Sequence, residues 1–81
     1  MALEVWKAEV EGREHIISLR LNEAWGTIKV DVDGNVVKRG LLTLARVRLD
    51  VGGKPAMLKG SGFGTIKWEL YVDGRRITRG S

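Results

Sequence analysis

The fold is decided by one stretch of the sequence, Ile66-Lys67-Trp68-Glu69-Leu70-Tyr71-Val72-Asp73-Gly74-Arg75-Arg76-Ile77. Apolar and polar residues alternate up to Val72, and a period of two is typical of a half-buried β-strand. The Asp73-Gly74 pair favours positive φ at both positions, as a two-residue type I′ hairpin requires. This stretch therefore predicts two antiparallel strands joined by a tight turn, with Leu70 opposite Ile77.

Three further stretches repeat this pattern, with turns at Glu11-Gly12, Asp33-Gly34 and Gly52-Gly53. A two-residue turn fixes which residues face each other. The predicted pairs are Trp6 with Ile17, Ala8 with His15, Ile28 with Arg39, Val30 with Val37, Val47 with Leu58, Leu49 with Ala56 and Trp68 with Arg79. Apolar residues do not recur at helical spacing, so we predict eight strands and no helix.

The two halves of the chain resemble each other. Residues 32–40 match residues 72–80 at five of nine positions, with an offset of 40. One copy alone would form a four-stranded sheet with an uncovered apolar face, so two copies should pack face to face. We predict a single domain over residues 1–81, an eight-stranded antiparallel β-sandwich built from two four-strand repeats at about 3–40 and 43–80.

The registers also predict which side chains are buried and which strands lie at edges. Val36 and Arg76 should point outward. Pro55 has no backbone donor, so its strand should be a sheet edge there, where a homodimer could form. The predicted core comprises Trp6, Ala8, Val10, Ile17, Leu19, Leu21, Ile28, Val30, Val32, Val37, Val47, Leu49, Val51, Leu58, Ile66, Trp68, Leu70 and Ile77.

Composition narrows the class of protein. The chain has 81 residues, 43% of them hydrophobic, and no cysteine. This size allows one core, which argues against a two-domain enzyme, and the lack of cysteine excludes disulfides and thiolate metal sites. The N-terminus has neither a basic region followed by an apolar run nor a span long enough to cross a bilayer. We expect a cytoplasmic protein without a membrane partner.

Candidate catalytic and metal-binding residues are few. His15, the only histidine, could act as a general base beside Glu9 or Glu14, but a histidine hydrogen-bonded within the sheet is the interpretation we favour. Asp31, Asp33 and Asn35 resemble the start of a calcium loop; the residues after them lack its glycine and distal glutamate, which favours a plain hairpin. We expect no catalytic residue, no metal site and no cofactor.

The glycine-rich segment Gly60-Ser61-Gly62-Phe63-Gly64 could in principle hold a phosphate. It lacks the Gly-Lys-Ser/Thr signature, and no helix is predicted after it. We expect it instead to carry the chain from one sheet to the other.

Charge is distributed unevenly along the chain. Residues 1–40 contain six Lys or Arg and seven Asp or Glu, whereas residues 41–81 contain eight and three. A candidate patch for an anionic partner comprises Lys38, Arg39, Arg75, Arg76 and Arg79. A solvated basic face explains the same residues, and we favour it because no stacking aromatic lies among these charges. We do not expect nucleic acid as a partner.

Several short motifs follow one another along the chain: Val5-Trp6, Gly12-x-x-His15-x-Ile17, Val32-Asp33-Gly34, Val51-Gly52-Gly53, Gly62-Phe63 and Leu70-Tyr71-Val72-Asp73-Gly74. From about Leu3 to Arg79, their order and spacing resemble those of one domain of the Fas apoptotic inhibitory molecule (FAIM) family. This resemblance implies an eight-stranded antiparallel β-sandwich and a non-enzymatic cytoplasmic protein linked to inhibition of apoptosis and protection against aggregation. Better-known members carry two such domains, whereas this sequence has one.

We therefore expect a non-enzymatic protein-interaction or stability module whose partner is another protein. One alternative is a β domain that binds anionic ligands or nucleic acid through a basic hairpin arm. Another is an engineered or ancestral-type symmetric sandwich without a partner.

Overall fold

The computed structural model of the protein describes residues 2–22, 24–41, 46–61 and 67–77. These residues form eight strands and no helix. The strands are β1 (Ala2–Val10), β2 (Arg13–Asn22), β3 (Thr27–Val32), β4 (Asn35–Leu41), β5 (Arg46–Val51), β6 (Lys54–Ser61), β7 (Lys67–Val72) and β8 (Arg75–Ile77). They make two antiparallel sheets with strand orders β1-β2-β3-β4 and β5-β6-β7-β8, which confirms the predicted sandwich of two four-strand repeats.

Four tight turns set the ends of these strands. Both central residues of every predicted turn have positive φ: 51° and 77° at Glu11-Gly12, 53° and 84° at Asp33-Gly34, 59° and 83° at Gly52-Gly53, and 51° and 79° at Asp73-Gly74. These angles are those of type I′ turns, whose twist matches the right-handed twist of the flanking strands. The four predicted hairpins are therefore confirmed.

Three of the four predicted registers are correct. Trp6 lies opposite Ile17, Leu49 opposite Ala56, and Leu70 opposite Ile77. Because side chains alternate between faces, each register places one apolar row on the core side. The predicted pairing of Trp68 with Arg79 lies outside the described residues.

The register predicted for β3 and β4 is wrong beyond the turn. The register shifts between Val30 and Asp31, so that Lys38 rather than Val37 lies opposite Val30, and Gly40 rather than Arg39 lies opposite Ile28. Val37 is the extra residue of a β-bulge, and its side chain is 46% exposed instead of buried. β4 has a partner on only one side, so a bulge there disturbs one ladder.

The core lies between the two sheets and includes side chains from both. Val36 and Arg76 are exposed, as predicted. Ala56 and Val72 are buried although the prediction omitted them, and the predicted Ile66 lies outside the described residues. The buried residues are Trp6, Ala8, Val10, Ile17, Leu19, Ile28, Val30, Val47, Val51, Ala56, Leu58, Trp68, Leu70 and Val72. Four predicted core residues, Leu21, Val32, Leu49 and Ile77, are partly buried and pack against this cluster.

The two halves differ in how the central strands pair. Ile17 lies opposite Val32 in the first sheet, whereas Ala56 lies opposite Val72 in the second. When the β1–β2 hairpin is aligned with the β5–β6 hairpin, Leu58 corresponds to Ile17. Because Ala56 rather than Leu58 lies opposite Val72, β7 pairs with β6 two residues away from the position that β3 takes on β2. A slip of two keeps every side chain on its own face, so the core survives it.

Two predictions about strand positions are wrong. Pro55 lies on β6, a central strand between β5 and β7, so a homodimer through an edge at Pro55 loses its basis. Proline is accommodated because the ladder to β7 begins one residue later, at Ala56. Gly60 and Ser61 end β6, which pairs directly with β7 in the same sheet, so the predicted crossing from one sheet to the other at the glycine-rich segment is wrong. Gly62, Phe63 and Gly64 lie outside the described residues.

Gly52 stands at a turn position where the other three hairpins have Glu11, Asp33 or Asp73, so positive φ alone does not require glycine there. A Cβ on Gly52 would lie 2.8 Å from His15 Nε2 and 3.1 Å from Val10 Cβ. A Cβ on Gly53 would have no other atom within 4 Å. The close approach of His15 and Val10 therefore selects glycine at position 52.

Replacing Gly52 by Ala should lower the free energy of unfolding by at least about 2 kcal/mol, because overpacking adds to the cost of about 1–2 kcal/mol for a left-handed Ala. Gly53→Ala is the control, since it carries only the backbone cost. Urea unfolding of both variants measures the difference. A loss for Gly52→Ala that stays within the backbone cost of about 1–2 kcal/mol would show that His15 and Val10 do not restrict position 52.

Candidate functional site

The outer face of the second sheet carries a row of side chains that crosses all four strands. Arg48 on β5 lies opposite Met57 on β6, which lies opposite Tyr71 on β7, which lies opposite Arg76 on β8. Each of the four is next in sequence to a residue on the core side of its strand, and successive side chains of a strand point to opposite faces, so all four point away from the core. The row therefore combines two cations with two large apolar side chains.

A groove of about 690 Å³ lies over three residues of this row, Arg48, Met57 and Tyr71. Its floor is formed by the side chains of Pro55, Met57 and Tyr71, and its wall at one end is the Asp73–Gly74 turn. Tyr71 and Met57 are half-buried, whereas Pro55 is exposed. Binding sites commonly combine such an apolar surface with a small number of polar groups around it.

Pro55 helps to shape the closed end of the groove. Its carbonyl oxygen accepts a hydrogen bond of 2.8 Å from the backbone N–H of Asp73. Because proline has no N–H, Pro55 cannot extend the β6–β7 ladder in the other direction. The turn is thus attached to β6 by a single backbone hydrogen bond, next to the exposed proline ring.

The charges of the groove are separated along the strand direction. Lys59 and Arg48 lie toward one end, with Lys59 Nζ 5.6 Å from the centroid of the Tyr71 ring. Asp50 and Asp73 lie toward the turn. Among the described residues, none of Arg48, Asp50 and Asp73 belongs to a salt bridge. The groove therefore offers a positive end and a negative end to a ligand.

Arg76 is less available than Arg48 to bind a ligand, because its charge is already paired. Its Nε lies 3.0 Å from Glu69 Oε2, and both side chains are on the outer face of the sheet. An exposed ion pair of this kind contributes little to stability, about 0–1 kcal/mol. It does offset the charge of Arg76, which leaves Arg48 and Lys59 as the cations that face the groove.

The structure does not bring the residues of the predicted basic patch onto one surface. Lys38 and Arg39 lie on β4, which borders β5, whereas Arg75 and Arg76 lie on β8, which borders β1. These strands are at opposite edges of the sandwich. Arg39 faces outward opposite Lys29, and Lys38 and Arg75 lie on the core side of their edge strands, where both remain exposed. Arg79 lies outside the described residues.

His15, the candidate general base, is occupied by an interaction within its own sheet. Its Nδ1 lies 2.7 Å from Asp33 Oδ2, and its side chain is 15% exposed. The backbone N–H of Ile16 donates to the other oxygen, Asp33 Oδ1, at 2.9 Å. The partner of the ring is therefore Asp33 rather than Glu9 or Glu14. This arrangement matches the hydrogen-bonded histidine that the sequence favoured.

The Asp33 carboxylate is held in its charged form. The hydrogen bond from the Ile16 N–H lowers the pKa of Asp33, the hydrogen bond from His15 lowers it further, and partial desolvation opposes both. Both carboxylate oxygens of Asp33 already accept hydrogen bonds, so Asp33 is poorly placed to bind a cation as well. Asp31 is on the outer face of the sheet, opposite Val36. Within the described ranges, no group of three His, Cys, Asp or Glu side chains is placed to hold a metal ion.

Comparisons with known proteins give no relative: no family model, no curated protein and no solved structure matches the chain. In the part of the chain that the structure describes, no helix could cross a membrane. The function has to be argued from the geometry of the surface.

Sequence analysis did not predict the groove around Tyr71. The Gly52-Gly53 hairpin already implied that Arg48 and Met57 face each other. The contact between Met57 and Tyr71 depends on the pairing of β6 with β7, which no two-residue turn fixes. No local signal could have located that pair.

Replacing Asp33 by Asn should lower stability at neutral pH, and the difference from the wild type should shrink as pH falls. The folded-state pKa of Asp33 is below its usual value near 3.9, so its stabilisation is present above about pH 4 and is lost as pH falls through the folded-state pKa. Asn tolerates the left-handed φ, so the turn itself is kept. Chemical unfolding between neutral and acidic pH measures this difference.

Asp73→Asn is the matched control. Asp73 has nearly the same φ, 51° against 53°, but the counterpart of Ile16 is Pro55, which has no N–H to donate. This variant should retain the wild-type pH dependence. Equal effects of the two substitutions would show that the contacts of Asp33 with Ile16 and His15 do not stabilise the fold.

Proposed function

We propose that the protein is a non-enzymatic interaction module that binds a segment of another protein in the groove on the second sheet. The observation that carries this proposal is an apolar floor of Pro55, Met57 and Tyr71 between charges of opposite sign. Those of Arg48, Asp50 and Asp73 form no salt bridge within the described ranges. Tyr and Met are enriched at the centres of protein interfaces, and Met adapts its shape to different partners. A solvated outer face needs no such floor.

The groove predicts the chemistry of its partner. An apolar side chain would cover Met57 and Tyr71, and an acidic residue next to it would approach Arg48 and Lys59. A basic or hydrogen-bond donor group at the other end would approach Asp50 and Asp73. Opposite charges at the two ends fix the direction in which a peptide lies.

The FAIM resemblance adds a biological setting to this proposal. It implies a cytoplasmic protein that acts by binding other proteins, with roles in inhibition of apoptosis and in protection against aggregation. The outer groove is a surface through which such a single domain would act.

Selection of peptides from a random display library against the wild-type protein tests the proposal. Enriched peptides should share an apolar residue with an acidic neighbour, and a synthetic peptide with that pattern should bind saturably. Tyr71→Ala and Arg48→Glu should each weaken binding of that peptide by about tenfold, since truncation or reversal of a central contact costs on the order of 1–2 kcal/mol.

Lys7→Glu is the matched control, because Lys7 occupies the position on β1 that corresponds to Arg48 on β5 and also faces outward. Its binding should remain within about twofold of the wild type, and surface substitutions of this kind should change stability by less than about 0.5 kcal/mol. A library that yields no enriched sequence, or peptides that bind Arg48→Glu as well as the wild type, would contradict the proposal.

A further inference from the structure

Three cations lie in one row on the outer face of the first sheet. Arg20 on β2 lies opposite Lys29 on β3, and Lys29 lies opposite Arg39 on β4. We call these three residues the cationic row. Arg20 and Arg39 are exposed and Lys29 is half-buried. The Cβ atoms of residues directly opposite each other on neighbouring strands are about 4.5–5.5 Å apart, so the like charges of these side chains repel one another.

The β-bulge at Val37 creates this row. If the register set by the Asp33-Gly34 turn continued along β4 without a bulge, Arg39 would lie opposite Ile28 on the core side. With it, Arg39 lies opposite Lys29 on the outer side. Bulges commonly redirect side chains next to functional sites. The bulge thus adds a third cation beside two that the β2–β3 pairing already brings together.

No acid of the described residues neutralises the row. The salt bridges of the described chain involve none of Arg20, Lys29 and Arg39. Asp31 is the next residue after Lys29 on β3 whose side chain faces outward, and it lies opposite Ser18 on β2 and Val36 on β4. Its Oδ1 is buried without a hydrogen-bond partner. Three positive charges therefore face solvent near a single carboxylate.

A depression of about 210 Å³ adjoins the row. The outward side chains that line it belong to two facing pairs, Arg20 with Lys29 and Asn22 with Thr27. These four side chains carry a guanidinium, an ammonium, an amide and a hydroxyl group, all of which can donate hydrogen bonds. Leu21 and Ile28 also line the depression. This donor set suits a phosphate group, and the space is too small for a nucleobase in addition.

An exposed tryptophan stands at the same end of the sheet. Trp25 lies in the turn between Asn22 and Thr27 and is 80% exposed, whereas Trp6 and Trp68 are each 1% exposed. Its backbone N–H donates to Asn22 Oδ1 at 3.3 Å, which ties the turn to a residue that lines the depression. The pairing of β2 with β3 thus supplies the aromatic surface that the sequence did not reveal next to basic residues.

We propose that this end of the first sheet binds single-stranded nucleic acid, with phosphates along the cationic row and a base stacked on Trp25. Aromatic stacking next to a positively charged track is how sequence-tolerant single-strand binders work. A duplex would not expose the face of a base. This site is separate from the groove on the second sheet, so it adds a second activity to the proposed module.

The rest of the face argues against an anionic membrane as the ligand. Glu9 and Glu14 lie opposite each other at the far end of the same outer face. A planar anionic surface pressed against the sheet would approach these two carboxylates. A single strand that crosses the three cations would not, because it contacts only one end of the sheet.

Titration with an oligothymidylate of about 12 nucleotides tests the proposal, with the oligonucleotide labelled for fluorescence anisotropy. Binding at about 50 mM salt should be saturable, and its log–log salt dependence should have a slope of about −2, since each of three phosphates contributes about −0.7. The emission of the exposed Trp25 should be quenched by a stacked base. Failure to bind saturably would overturn the proposal.

Substitutions separate the row from general electrostatics. Lys29→Gln should reduce the magnitude of the slope by about 0.7, whereas Lys7→Gln, which removes the same charge elsewhere on the same face, should leave it unchanged. Equal effects of the two variants would overturn the assignment. Lys29→Gln should not lower the thermal midpoint, because it removes a repulsive contact.

Trp25 variants test the stacking. Trp25→Ala should weaken binding at least about fivefold, the loss expected for one stacked base, and Trp25→Phe should restore most of it. Unchanged binding by Trp25→Ala would overturn the proposal.

Two competing ligands complete the experiment. Vesicles of phosphatidylserine and phosphatidylcholine, or polyglutamate, that bind as tightly as the oligonucleotide with the same dependence on Lys29 would show a general anion surface and overturn the assignment. Arg48→Glu should retain oligonucleotide binding, so a failure of the peptide-binding groove is distinguishable from a failure of this site.

Discussion

The left-handed backbone at the two central residues of each hairpin is the constraint on which the rest of the structure depends. A two-residue turn allows one register, and the register decides which face of each strand carries the apolar side chains. Trp6 meets Ile17 and Leu70 meets Ile77 for this reason. Where the register continues undisturbed, the apolar rows of both sheets point toward the shared core. Where the register shifts, as at Val37, different side chains reach the outer surface.

The same turns connect the two sheets at one end of the sandwich. Gly52 of the second sheet approaches His15 of the first so closely that a Cβ would force the ring or the turn to shift, and His15 is hydrogen-bonded to Asp33 of the neighbouring hairpin. The salt bridge between Lys54 and Glu11, at 3.6 Å, also joins the two halves of the chain. Local hairpins and the packing of the sheets are thus linked by one steric contact at Gly52, one hydrogen bond between His15 and Asp33, and one salt bridge.

Small departures from symmetry separate the surfaces of the two halves. A slip of two residues between β6 and β7 places Pro55 where the first half has Ile16, and Pro55 cannot donate the hydrogen bond that Ile16 gives to Asp33. The same slip sets Met57 opposite Tyr71 and forms the apolar floor of the groove. In the first half, a single inserted residue at Val37 turns Arg39 outward instead. One repeat therefore presents an amphipathic groove, and the other presents a row of cations.

The sequence by itself determined the all-β class, the four turns and three of the four hairpin registers, because alternation and Asp-Gly or Gly-Gly pairs act within a few residues of each other. It also indicated that His15 would be hydrogen-bonded within the sheet. Only the tertiary structure decided the bulge at Val37, the central position of Pro55 and the partners across β2–β3 and β6–β7. The bulge lies within the hairpin of the Asp33-Gly34 turn, beyond the two residue pairs next to that turn. The central position of Pro55 and the partners across β2–β3 and β6–β7 depend on contacts between strands that no tight turn joins, where the free energy of packing rather than local backbone preference selects the register. Both candidate binding surfaces lie across such strand pairs, so the sequence showed their charges and aromatic residues without showing which of them meet.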